Sequence, residues 1–193
     1  VDNYRTLYIR AAQHCIQRGD SLKAQRYLHA MNETISMKIF PMSYALMSSV
    51  AEFSEQTGDH EMVKRFDEEI VRQCDVLLQQ PFLQKQVEVF IQNSPPAIVA
   101  AQSYLRLKKY DEALRYVVVA EQTLTSPSIA YLRAIIEATK AHSRGNDTEA
   151  VGILELYLQR TAQASDAVSG DARRRVMRTI SSWTQTAMKE SGR

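Results

Sequence analysis

Tyr104-Leu105-Arg106-Leu107-Lys108-Lys109-Tyr110-Asp111-Glu112-Ala113-Leu114-Arg115-Tyr116-Val117-Val118-Val119-Ala120 is the stretch whose reading decides the fold. Lys108 to Glu112 reads as a tight turn between two antiparallel helices. Ala113 is the small residue that lets the second helix lie close to the first. Arg18-Gly19-Asp20, Thr57-Gly58-Asp59 and Arg144-Gly145-Asn146-Asp147 repeat the idea more loosely.

Working outward, apolar residues recur at helical spacing and no strand-like alternation competes. A first helix is predicted over 3–18, with Leu7, Tyr8, Ala11, Ala12 and Cys15 inward. Gly19-Asp20 stops it, and the next helix spans 22–32 with Ala24, Tyr27, Leu28 and Met31 on one side. Pro41 disfavours helix at Phe40. Further helices are predicted over 43–56 and 61–78, the second with Val63, Phe66, Ile70, Cys74 and Leu77 inward. Asp67, Glu68 and Glu69 read as its wet face. Pro81 to Asn93 reads as a short helix or a packed irregular stretch. Helices follow over 97–107, 111–124, 129–143 and 148–163. Ala164 to Gly170 is a polar loop. The last helix carries Ala172, Val176, Ile180, Trp183 and Ala187 as one apolar stripe.

The composition excludes several classes. The chain has 193 residues, 45% of them hydrophobic and 24% charged, with six Gly and five Pro. That suits a soluble helical domain and leaves few residues for the turns of an all-β fold. The net charge is +2. From Gly170 onward six basic residues stand against two acidic ones, a footprint too small and local to point to nucleic acid. No apolar run approaches a membrane span and no signal peptide is visible. The chain opens on Val1 without an initiator Met, which reads as an excised fragment. Cys15 and Cys74 read as two buried free thiols, with a single disulfide left open.

The turn and its flanks resemble the tetratricopeptide pattern, a helix pair of about 34 residues. Tyr104 precedes Ala113 at that pattern's spacing. Ala100 and Ala101 fill its Leu-Gly pair, Val117 its Phe position and Ala120 its later small position. Ala11, Ala12, Cys15, Ala24 and Leu28 follow the same register. So do Val50, Ala51, Ser54 and Val63, with Asp67 where Phe is expected, and Ala138, Ala141, Ala150 and Leu154. The steps from Ala24 to Val63, Ala113 and Ala150 each exceed about 34 residues, so the connectors carry insertions. The resemblance implies an all-α, right-handed α-α superhelix of about four helix pairs plus a C-terminal capping helix. Repeats fall at about 3–34, 43–78, 97–124 and 129–163, the insert at 79–96 and the cap at 171–189. Residues 4–59, most specifically Phe40-Pro41-Met42-x-Tyr44, also resemble the soluble C-terminal tail of bacterial polytopic membrane proteins similar to protein O-mannosyltransferases. That resemblance implies an accessory domain on the extracytoplasmic side, tethered through a preceding membrane portion.

Functionally, the resemblance implies a non-catalytic protein–protein interaction or scaffold module. Its concave face would be lined by the first helix of each pair: Thr6, Ile9 and Gln13; Ser48, Glu52 and Glu55; Gln102, Leu105 and Arg106; Leu132, Ile135, Thr139 and His142. The Lys/Asn/Arg clamp with which co-chaperone members hold a C-terminal carboxylate is missing. No cofactor or metal is expected, because His14, His29, His60 and His142 are scattered over separate helices. Neither a nucleophile elbow nor a phosphate-cradling glycine loop is present. Arg173, Arg174, Arg175 and Arg178 read as the solvated face of the cap, and Trp183 as core.

Overall fold

The structure, a computed structural model, describes residues 1–80, 95–124, 126–162 and 167–191. The expectation for Pro81 to Asn93 lies outside them. Among the described residues every regular element is an α-helix: α1 Asp2–Gln17, α2 Ser21–Thr34, α3 Tyr44–Thr57, α4 His60–Gln79, α5 Pro96–Arg106, α6 Tyr110–Thr123, α7 Pro127–Ser143, α8 Asp147–Arg160 and α9 Ala167–Ser191. The chain divides into two compact units, Val1–Lys109 with α1–α5 and Tyr110–Arg193 with α6–α9.

Four turns share one hydrogen-bond pattern. After α1, Gly19 N–H donates to Ile16 O and Asp20 N–H reaches back to Cys15 O, both at 2.9 Å. Gly58 and Asp59, Lys108 and Lys109, and Gly145 and Asn146 make the same pair of bonds after α3, α5 and α7. This is the Schellman closure, and it needs a left-handed residue in second-to-last place. Gly19, Gly58 and Gly145 supply it at φ 78°, 80° and 78°; Lys108 supplies it at 58°. The residue after each glycine then caps the next helix. The side chains of Asp20, Asp59 and Asn146 accept from the backbone N–H of Lys23, Met62 and Glu149. Within the units such short closures make α1 and α2, α3 and α4, and α7 and α8 antiparallel.

In the first unit α1 packs on α2 and α3, α3 on α4 and α5, and α4 on α5. The repeat register holds position by position. The first-turn residues of the second helices, Ala24, Val63, Ala113 and Ala150, are all buried, as are Leu28, Asp67, Val117 and Leu154 one turn on. Small residues there let neighbouring helices approach closely. In the second unit α7 packs on α6 and α8, and α9 lies against both α7 and α8. Ala172 and Val176 of α9 join Ala138, Ala141, Ala150, Leu154 and Tyr157 in one apolar cluster, with Ile180 and Trp183 packed on it.

Three expectations need correction. Leu7 points to solvent, and the buried stripe of α1 is Arg5, Ile9, Ala12 and Cys15. Arg5 can take the inward place because its guanidinium donates to Asp2 Oδ1 at 3.1 Å and Pro41 O at 3.2 Å, and to Phe40 O. Asp67 is buried, not wet, for a reason given below. α9 begins at Ala167 rather than Asp171. No proline stands before Asp171 to stop it, and an early Gly170 costs a helix only about 1 kcal/mol. Cys15 and Cys74 are buried and unbonded to each other.

Candidate partner-binding face

The first helices of the pairs stand side by side in the first unit, α1 against α3 and α3 against α5. Of the residues expected to line their face, Gln13, Glu52 and Glu55 are exposed, while Thr6, Ser48, Gln102 and Leu105 are half-buried. Ile9 is core, at 7% exposed. The Thr6 hydroxyl is turned back onto Asp2 O at 2.8 Å.

Arg106 is committed elsewhere. Its Nε donates to Asp67 Oδ2 at 2.9 Å and its Nη2 to Asp67 Oδ1 at 2.6 Å. Nη2 also donates to Ser103 Oγ at 3.2 Å. The Asp67 carboxylate is fully buried and the Arg106 side chain is 11% exposed. A two-pronged guanidinium–carboxylate contact is among the stronger polar pairings, which is how a charge occupies a core position. The pair joins α4 to α5 where the repeat pattern has an aromatic ring. Ser103, fully buried, completes a small polar pocket of the core with the pair.

Glu55 stands beside this pocket. Partial burial of its otherwise exposed side chain raises its carboxyl from the ordinary value, Arg106 pulls the other way, and Asp67 and Glu52 add to the rise. With Arg106 neutralised by Asp67, Glu52 and Glu55 are two exposed acids on the α3 part of this face, with Gln13 and Gln102 as neutral polar groups on α1 and α5.

In the second unit Leu132 is core and Ile135 packs on the cluster. Thr139 is half-buried. His142 Nδ1 lies 2.6 Å from Asp147 Oδ1, and its ring stacks on Trp183 at 4.4 Å between centroids with 15° between planes. His142 thus ties α7 to the start of α8 and to α9. Arg133 bridges to Glu121 at 2.6 Å and Lys140 pairs with Asp111, both linking α6 to α7. The arginines of α9 are mostly at the surface. Arg175 pairs with Asp171 at 2.9 Å, and Arg173 donates to Ala162 O beyond the end of α8.

Sequence reasoning missed the inward Arg5 and the buried Asp67. Each had a signal. Arg5 is one turn before Ile9 on the buried stripe, and Asp67 occupies the Phe position of the repeat. Among the described residues no three His, Cys, Asp or Glu side chains converge as metal ligands. None of the described helices is long and apolar enough to cross a membrane.

Successive helix pairs, four Schellman turns and small residues in register define a tetratricopeptide-like helical-repeat protein. No family model matches the chain, and no curated protein matches it. It is similar to a solved structure described as the crystal structure of the APC/C hetero-tetramer Cut9-Hcn1, at 14% identity and a TM-score of 0.44. The match covers 88% of this chain and 29% of that one, so the chain spans less than a third of its neighbour's length.

Proposed function

We propose that the chain is a protein-binding module whose working surface in the first unit is the face of α1, α3 and α5. The carrying observation is the paired Glu52 and Glu55 on α3, exposed beside an Arg106 whose charge is already spent on Asp67. Such a face favours an extended or helical segment rich in Lys, Arg and amide donors. The test is a peptide array probed with the full chain. Basic segments are retained by the native protein and lost when Glu52→Lys is combined with Glu55→Lys. Equal retention by the variant refutes the reading. Arg106 is the wrong residue to change in such a test, because its loss disturbs the core. The resemblance of residues 4–59 supports a second reading, an accessory extracytoplasmic tail of a membrane glycosyltransferase-like protein. Sequencing the gene upstream of Val1 tests it: a series of hydrophobic spans supports the tail, and a nearby start codon removes it.

A further inference from the structure

α1 is apolar on two faces. One is the buried stripe through Ile9, Ala12 and Cys15. The other is Tyr4, Leu7, Tyr8 and Ala11, the i, i+3, i+4, i+7 set of a helix made to be covered, turned by about 100° from the first. Yet Tyr4 is 67% and Leu7 61% exposed. On α2, Leu22 is 71% exposed. Tyr8, Leu22, Tyr27 and Ala30 line a groove of about 700 Å³, and among the described residues only α1, α2 and Asp20 of their turn contribute to it. Among the described residues no element covers this apolar and aromatic face.

The rim says what kind of chain covers it. Lys23 and Arg26 border the groove on α2. Neither has an ion-pair partner among the described residues. The one acid in the lining, Asp20, caps α2 through Lys23 N–H at 3.1 Å, which leaves two cations against one carboxylate. We infer that this groove docks an acidic amphipathic helix, its apolar stripe between Tyr8, Leu22 and Tyr27 and its carboxylates against Lys23 and Arg26. A second copy presenting the same face would set these cations against one another, which argues against self-pairing.

The test uses the full chain and a labelled helical peptide of about 18 residues, long enough to lie along α1, with Leu at i, i+3, i+4 and i+7 and Glu flanking them. A partner peptide carries Lys in place of Glu. Fluorescence anisotropy is expected to show binding of the Glu peptide and at least about tenfold weaker binding of the Lys peptide. Leu7→Glu with Leu22→Glu abolishes binding. Lys23→Glu with Arg26→Glu reverses the charge preference, a change that loss of folding cannot mimic. These positions are exposed, and circular dichroism confirms that the variants fold. Equal binding of both peptides, or of neither, overturns the proposal. So does self-association in sedimentation that the Leu22→Glu variant abolishes, since the occupant would then be a second copy.

Discussion

Asp67→Ala is the sharpest test of the core. The substitution leaves the Arg106 guanidinium 11% exposed with its carboxylate partner gone. Ser103 Oγ, already at 3.2 Å, is the side-chain acceptor left to it among the described residues. Removing one member of a buried pair costs about 3–5 kcal/mol, most of it the uncompensated charge rather than the lost attraction. For a chain of this size each kcal/mol moves the melting temperature by about 2–4 °C, so a fall of about 6–20 °C is expected. Arg106→Ala should cost a similar amount for the mirror reason. The double variant should cost clearly less than the two singles together, with a coupling of about 2–3 kcal/mol. Replacing both by apolar residues, Asp67→Leu with Arg106→Met, should be neutral or stabilising, because an apolar pair of similar volume avoids the desolvation of two ions. The assay is urea unfolding followed by far-ultraviolet circular dichroism on all four variants. Additivity within about 0.5 kcal/mol would show that the pair is not coupled and refute the reasoning.

Lys108→Gly should stabilise the protein by about 0.5–1 kcal/mol in the same assay, because a left-handed lysine carries strain that glycine does not. Adding Lys109→Asp should contribute about 1 kcal/mol more by restoring the cap that the sister turns possess. Stability should fall as pH rises from about 9 towards 12. Burial pushes the Cys74 thiol and the Tyr44 phenol each up to about 12, with each group or its charged neighbour adding to the rise. The folded state therefore holds protons that the unfolded chain releases, and Cys74→Ala should flatten that slope. Glu55→Gln should raise stability at neutral pH, since the raised carboxyl is disfavoured in its charged form; the gain should vanish below the ordinary carboxylate range. His142→Ala should shift the emission of Trp183 to longer wavelength, as removing the stacked ring at 4.4 Å lets water reach the indole.

The helices, the turns and the repeat register were legible because they are local. Apolar spacing, Gly-Asp pairs and Asn146 each act within a few residues. The register even marked Asp67 as a core position, while its charge, read beside Glu68 and Glu69, argued for solvent. The deciding partner, Arg106, lies on another helix, and only tertiary structure brings the two together. The same is true of Arg5, whose backbone-carbonyl acceptors belong to residues 35–41. Leu7 and Tyr8 misled in a different way. α1 has two apolar faces, and periodicity reports that a face is apolar without saying which one is covered. In the candidate site, Glu52, Glu55 and Gln13 are exposed. His142 and Arg106 were named for the same face, but they spend their polar groups on Asp147 and Asp67.

The inward Arg5 also has a consequence for synthesis. Its backbone-carbonyl acceptors on Phe40 and Pro41 follow it by 35 and 36 residues. On a ribosome adding about 5–20 residues per second, they appear about 2–7 s after the arginine does. Until then α1 carries a cation on the side that must become core, and it gains little by docking early on α2. Completion of the first helix pair is thereby deferred until the connector has been made, and a nascent chain halted before Phe40 should remain open to protease at α1.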